Sequence, residues 1–138
     1  DFDAGIEGFA KQLPWANFPV LIANYDFTQT VLEHKTQPYK IFNKGGLKIG
    51  VFGLGIELKG LVGEAQYQQT HYLEPIQIAN ATASMLKRKE GCDMVICLSH
   101  LGYEYDGRKV SDLVLAKQSE NIDLIIGGSL RTSFDLSY

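Results

Sequence analysis

The feature that most constrains the fold is an alternation of short, continuous apolar runs with segments of helical periodicity. Residues 94–98 (MVICL) and 124–126 (LII) are apolar throughout, which is the pattern of strands buried on both faces. Apolar residues at helical spacing precede each run, over 75–90 and over 110–117. This order of strands and helices is typical of α/β proteins with a largely parallel sheet.

Upstream of this alternation the sequence predicts one helix, one further buried strand and a hairpin. Apolar residues at helical spacing indicate a helix that ends at Pro14, and the apolar run 18–23 (FPVLIA) indicates a buried strand. Residues 39–42 and 47–52 flank a turn that contains glycine, which is typical of a hairpin and adds antiparallel character to the sheet. The glycines and glutamines of 56–72 predict a loop with little structure.

Length and charge disfavour several classes of function. The chain has 138 residues and a net charge of −3, so it suits one domain or a piece of a larger one. Without a basic excess, binding to a nucleic acid polymer is not expected. The longest apolar run is far shorter than the ~20 residues of a membrane span. Cys92 and Cys97 would lie about 16 Å apart on one strand, too far for a disulfide, so both are expected to be reduced.

His100 is the candidate functional residue that stands out. It follows the predicted strand at the edge where α/β sheets collect their ligands, and Gly102 permits a tight turn beside it. Neutral imidazole is a common metal ligand and a general base. A hydrogen-bonded structural histidine fits the same position. His34 and His71 lie in polar stretches and are expected at the surface.

The acidic residues give weaker evidence of a functional role than His100 does. Asp3 suits the N-cap of the first helix, although a carboxylate can also orient a catalytic imidazole. No histidine stands near Asp3 in the sequence, which favours the cap. Glu104, Asp106 and Asp112 surround the loop after His100 and receive no role.

Five segments extend the argument to a family. They are FDAGIEGFAKQL, FPVLIANYDF, PYKIFNKGGLKIGVFGLG, DMVICLSHLGYE and SDLVLAKQSENIDLIIGG. In this order they resemble the metallophosphoesterase domain of bacterial 5′-nucleotidases, in the branch of the calcineurin-like superfamily with 2′,3′-cyclic phosphodiesterase activity. The resemblance implies an α-β-β-α sandwich. It covers only the C-terminal part of the domain, so residues 1–138 are expected to form a single partial domain.

The resemblance also implies roles for particular residues. Asp3 matches the catalytic aspartate that partners a histidine, and that histidine would precede residue 1. His100 matches a metal-ligand histidine. Ser129 and Arg131 stand where the family has two further metal-site histidines, and neither residue suits a divalent metal. The family holds two divalent metal ions (zinc, manganese or similar), which this chain is expected to bind only weakly.

The expected function is that of a fragment of a metal-dependent phosphoester hydrolase. The parent protein would hydrolyse nucleotides to nucleoside and phosphate in the periplasm or cell envelope, and the chain alone would be inactive. An uncovered sheet face would favour self-association. One alternative is a non-catalytic binding or assembly domain that keeps the phosphoesterase fold. Another is an unrelated doubly wound binding module, against which the order of the five segments argues.

Overall fold

The computed structural model describes residues 2, 4–107 and 109–128. In this part of the chain the strands are β1 (Tyr25–Asp26), β2 (Tyr39–Lys44), β3 (Leu47–Gly55), β4 (His71–Tyr72), β5 (Met94–His100) and β6 (Leu124–Gly127). The helices are α1 (Gly5–Gln12), α2 (Glu64–Tyr67), α3 (Pro75–Arg88) and α4 (Asp112–Gln118), and a 3₁₀ turn spans Leu13–Trp15.

A four-stranded mixed sheet forms the centre of the fold. Its strand order is β2-β3-β5-β6. The pair β2–β3 is the antiparallel hairpin that the sequence predicts, while β3–β5 and β5–β6 are parallel. Helices α3 and α4 form the connections between the parallel strands. The predicted α/β class with a mixed, largely parallel sheet is therefore confirmed.

Helix α3 shows how local sequence sets the boundaries of an element. Pro75 is its first residue, where a missing backbone N–H costs nothing. The Glu74 carboxylate caps the helix by accepting from the backbone N–H groups of Ile76 and Gln77. The helix ends at Arg88, two residues before the predicted end, and Gly91 follows with a positive φ of 67°.

The main core lies between one face of the sheet and the helices. Phe52, Val95 and Cys97 on the strands are fully buried. They belong to one cluster with α3 and α4, whose fully buried members are Ala79, Ala83, Leu86 and Leu115. We call this side of the sheet the covered face. Burial of each large apolar side chain is worth roughly 1.5–3 kcal/mol.

A second cluster lies beside the two-stranded sheet that β1 and β4 form. Its buried members are Phe2, Ile6, Tyr25, Phe27, Leu32 and Leu58. The rings of Phe2 and Tyr25 have centroids 5.8 Å apart, and Tyr25 meets Phe27 edge-on at 5.7 Å. This cluster attaches α1 and the long loops to the rest of the fold.

Two predictions about the loops are wrong. Residues 18–23 do not form a buried strand, because Phe18 is 66% exposed and only Leu21 makes an isolated bridge, with Gln37. The segment instead joins β3 beyond Phe52, where the pairing with β2 ends, and the Ala23 N–H donates to the Gly53 carbonyl. Residues 56–72 are also more ordered than predicted, since they contain α2 and the short strand β4, which pairs with β1.

A third prediction, that β5 and β6 are buried strands, holds only in part, because one face of β5 is buried while no residue of β6 is, Ile125 being half-buried. Leu98 on β5 is 41% exposed, and Leu124 and Ile126 on β6 are 41% and 48% exposed. Leu98 is the register partner of Ile126, so these side chains share one side of the sheet. We call this side, formed by Leu98, His100, Leu124 and Ile126, the open face.

Other properties agree with the sequence analysis. Cys92 and Cys97 are both buried and unpaired. Among the helices of residues 4–128, none has the length and apolar character that a bilayer crossing requires.

Candidate functional site

A cavity of about 730 Å³ opens at the carboxyl ends of the parallel strands. The end of β3 contributes Leu54 and Gly55, β5 contributes Leu98, Ser99 and His100, and β6 contributes Ile126. The segment 21–25 and the loop after β3 form the opposite wall. This is the edge of the sheet where α/β proteins bind ligands.

His100 is the last residue of β5, and its exposed side chain lines this cavity. Successive side chains of a strand alternate between the two faces. Val95, Cys97 and Ser99 therefore occupy the covered face, and Leu98 and His100 occupy the open one. The placement of His100 at the cavity follows directly from this alternation, while its role as a metal ligand stays a prediction.

Ser99 and Asp112 hold the end of β5 in place. The buried Ser99 hydroxyl donates to Asp112 Oδ1 at 2.5 Å, and the Leu101 N–H donates to Ser99 Oγ at 3.2 Å. The Ser99 carbonyl accepts from the Gly128 N–H at 2.7 Å. Ser99 thus fixes the backbone on both sides of His100. Its carbonyl also links the end of β5 to Gly128, the residue that follows β6.

Asp112 is a residue whose part in the site sequence reasoning missed. It begins α4, and its backbone N–H donates to the Gly102 carbonyl at 2.8 Å. A Cβ at Gly127 would lie 2.6 Å from Asp112 Oδ2, so a larger residue at the end of β6 would displace this carboxylate. Burial, and then the charge of Asp112, raise the pKa of the Cys97 thiol to about 12.

The loop after His100 is a tight turn built on Gly102, as the sequence predicts. Gly102 has a φ of 92°, which favours glycine. Tyr105 packs over it and donates its hydroxyl hydrogen to the Leu101 carbonyl at 2.6 Å. Lys109 Nζ lies 4.5 Å from the centroid of the Tyr105 ring, a cation–π contact. Tyr105 and Lys109 both line the cavity.

Asn24 secures the opposite wall, and sequence reasoning also missed it. Its fully buried amide donates to the Gly55 carbonyl at 2.8 Å and accepts from the Gly55 N–H at 2.7 Å. The neighbouring Tyr25 hydroxyl donates to the Ile56 carbonyl. Burial, and then the nearby Tyr72, raise the pKa of Tyr25. These bonds fix the backbone where β3 enters the cavity.

The described residues do not by themselves fit a metal centre. Between residues 4 and 128, no three His, Cys, Asp or Glu side chains are grouped so that they could hold a metal ion. His100 is a single ligand, and the nearby Asp112 carboxylate is engaged by Ser99. Asp3, Ser129 and Arg131, which the resemblance places at the metal site, lie outside the described residues.

The sequence is similar to that of several nucleotidases. It is 33% identical over 135 residues to a 5′-nucleotidase of Vibrio cholerae, an alignment that covers 93% of this chain and 24% of the relative. It is also 33% identical over 129 residues to the NAD 5′-nucleotidase of Haemophilus influenzae, covering 93% of this chain and 20% of that protein. No protein-family model matches the chain. The chain spans about a quarter of the length of the curated relatives it matches.

Solved structures agree with the sequence comparison. The Haemophilus influenzae NAD nucleotidase superposes with a TM-score of 0.77 at 32% identity, covering 94% of this chain and 24% of that one. A 5′-nucleotidase precursor from Thermus thermophilus gives 0.78 at 28% identity, covering 92% and 24%. A calcineurin-like phosphoesterase from Bacillus subtilis gives 0.73 at 26% identity, covering 91% and 41%. By sequence and by fold, the chain is therefore similar to part of the 5′-nucleotidases and of the calcineurin-like phosphoesterases.

Proposed function

We propose that this chain is part of a metal-dependent phosphoester hydrolase that releases nucleoside and phosphate from nucleotides. The observation that carries the proposal is the position of His100, which projects into a cavity at the carboxyl edge of the sheet. The relatives named 5′-nucleotidase and NAD nucleotidase support a nucleotide as the substrate. The activity belongs to the whole protein, because the chain corresponds to about a quarter of those relatives.

In this proposal His100 is one ligand of a centre with two divalent metal ions, zinc, manganese or similar. Such ions activate water and stabilise the charge that develops on a phosphoryl group. Asp3 is the carboxylate that partners a catalytic histidine. One histidine cannot hold two ions, so the remaining ligands must come from outside the described residues, and the chain alone binds metal weakly.

The open face supports the proposal that residues 1–138 are one part of a larger domain. Leu98, Leu124 and Ile126 are each 41% to 48% exposed on adjacent strands, although strands of this composition are normally covered on both faces. We propose that another part of the phosphoesterase domain covers this face in the whole protein. The chain alone then self-associates through it. We also propose that the whole protein is located in the periplasm or cell envelope, which the similarity to a 5′-nucleotidase described as a precursor supports.

The test is hydrolysis of a nucleoside monophosphate by the natural protein that contains this sequence, with manganese or zinc titrated into metal-free enzyme. His100→Ala is expected to lower turnover at least a hundredfold, since loss of a metal ligand disrupts the centre. His71→Ala is the matched control, because His71 is exposed on β4 and outside this cavity.

The 138-residue chain itself is expected to show no turnover above background with either metal. Metal-dependent hydrolysis by the chain alone, abolished by His100→Ala, would show that its site is more complete than proposed. A natural protein that folds, binds metal and hydrolyses no phosphoester would instead favour a non-catalytic domain.

A further inference from the structure

Lys109 is distinguished by its place in the cavity. Among the described residues that line it, Lys109 is the only one with a permanent charge, and none is a carboxylate. The other lining residues are mostly apolar, with Ser99, His100 and the tyrosines as the polar exceptions. Among the described lining residues, the formal charge is therefore that of one ammonium group close to the turn that follows His100.

The position of Lys109 is set by Tyr105. The ammonium lies 4.5 Å from the centroid of the Tyr105 ring, and the ring is anchored by the hydrogen bond from its hydroxyl to the Leu101 carbonyl. Leu101 directly follows His100 and is itself buried. The turn is closed at its far end by the bond between the Asp112 N–H and the Gly102 carbonyl. Lys109 is thus connected to the backbone beside His100 through a fixed aromatic ring.

No carboxylate of the described residues neutralises this ammonium. The two acidic residues of the same loop, Glu104 and Asp106, are exposed and do not line the cavity. In the described part of the chain the ion pairs are those of His34 and of Lys87, and neither involves Lys109. An unneutralised ammonium at the edge of an apolar cavity attracts an anionic group of a ligand.

We propose that Lys109 is the anion contact of this cavity and binds a phosphate oxygen of the ligand that reaches His100. The inference rests on the proposed function for the choice of phosphate over other anions. Lys109 acts as a point charge on a flexible stem, which suits the several geometries of a phosphate group. The Tyr105 ring limits where that charge can lie, so it provides orientation that a free surface lysine lacks.

The experiment measures phosphate binding to the 138-residue chain without metal, by nuclear magnetic resonance titration. The ligands are orthophosphate, adenosine monophosphate and adenosine. Lys109→Gln is expected to weaken binding of both phosphate-bearing ligands roughly fivefold, the size of a solvent-exposed ion contact. Adenosine, which has no phosphate, is expected to give the same response with both proteins. Lys109→Arg keeps the charge and is expected to stay within about twofold of the parent chain.

Lys117→Gln is the matched control, because it removes the same charge from the last turn of α4. It is expected to leave the phosphate affinity within about twofold of the parent chain. Equal losses in Lys109→Gln and Lys117→Gln would overturn the proposal, since net charge alone would then explain them. Phosphate binding that Lys109→Gln leaves unchanged would also overturn it. The measurement needs neither metal nor turnover, so its failure is distinct from a failure of the hydrolysis assay.

Discussion

The two faces of the central sheet differ in what their side chains do. On the covered face Phe52, Val95 and Cys97 pack against α3 and α4 and are removed from solvent. On the open face Leu98 and Ile126 are each more than 40% exposed, and His100 projects into the cavity. Adjacent residues of β5 therefore belong to different environments. One strand therefore packs into the core through one side and presents His100 to the cavity through the other.

The largest expected difference between the two faces is in how much a substitution lowers the free energy of unfolding. Leu86 of α3 is fully buried, and its methyl carbons lie 3.0 Å from where a Cβ at Gly50 would be. Leu86→Ala is expected to lower the free energy of unfolding by about 3 kcal/mol, through lost burial and the cavity left behind. The same change at Leu98, on the open face, is expected to cost less than about 1 kcal/mol.

Urea denaturation followed by circular dichroism measures both values. Equal losses at Leu86 and Leu98 would remove the distinction between the two faces, because they would mean that Leu98 is packed as tightly as a core residue.

A second prediction concerns alkaline pH and the covered face. Burial, and then the charge of Asp112, raise the pKa of Cys97 in the folded protein from its ordinary value of 9.0 to about 12. The thiol therefore ionises in the unfolded chain first. Its contribution to stability is complete below pH 9 and is lost as the pH rises from 9 towards 12. We expect the free energy of unfolding to fall in this window, and to fall less steeply in Cys97→Ala.

Thiol reactivity at pH 8 tests the same residue. Cys97 is expected to react with iodoacetamide at pH 8 at least about a hundredfold more slowly than a cysteine introduced by Leu98→Cys, because only the thiolate is nucleophilic. Rapid modification of Cys97 in the folded chain would contradict its assignment to the covered face.

A smaller loss in the free energy of unfolding is expected when Ser99 is changed, at the end of β5. Ser99→Ala removes the hydroxyl that joins Asp112 Oδ1 to the Leu101 N–H. We expect a loss of about 1–2 kcal/mol in the free energy of unfolding, because a hydrogen bond to a charged group is broken. The chemical shifts of His100 are expected to change as well. Ser111→Ala is the control. It removes the N-cap of α4, the helix that begins at Asp112, and is expected to leave the His100 chemical shifts unchanged.

The smallest effect on stability, and the most specific for the open face, is expected from Ile126→Lys. Ile126 is 48% exposed, so its replacement is expected to change the free energy of unfolding by less than about 0.5 kcal/mol. The charge should nevertheless weaken self-association of the chain, measured by sedimentation equilibrium. Leu47→Lys makes the same change at an exposed position in the hairpin and is expected to leave association unchanged. An equal effect of both substitutions would mean that the open face is not the contact surface.

Sequence patterns predicted those elements whose signals are local. The apolar runs of β5 and β6, the proline at the start of α3 and the glycines of the hairpin each act over a few residues. The position of His100 was also predicted from a local signal, because a histidine that closely follows an apolar run lies at the end of a strand. The alternation of side chains then determined that His100 and Cys97 face opposite sides.

The tertiary structure alone decided which residues meet around the cavity. Segment 18–23 is apolar enough for a strand, but it bonds to β3 only beyond Phe52, where the pairing of β3 with β2 ends. Asn24 meets Gly55 across 31 positions of sequence, and Ser99 meets Asp112 across 13. A single polar residue carries no periodicity that would predict a distant partner. Such contacts arise only when the sheet brings separate segments together, since their geometry depends on the register of every strand between them.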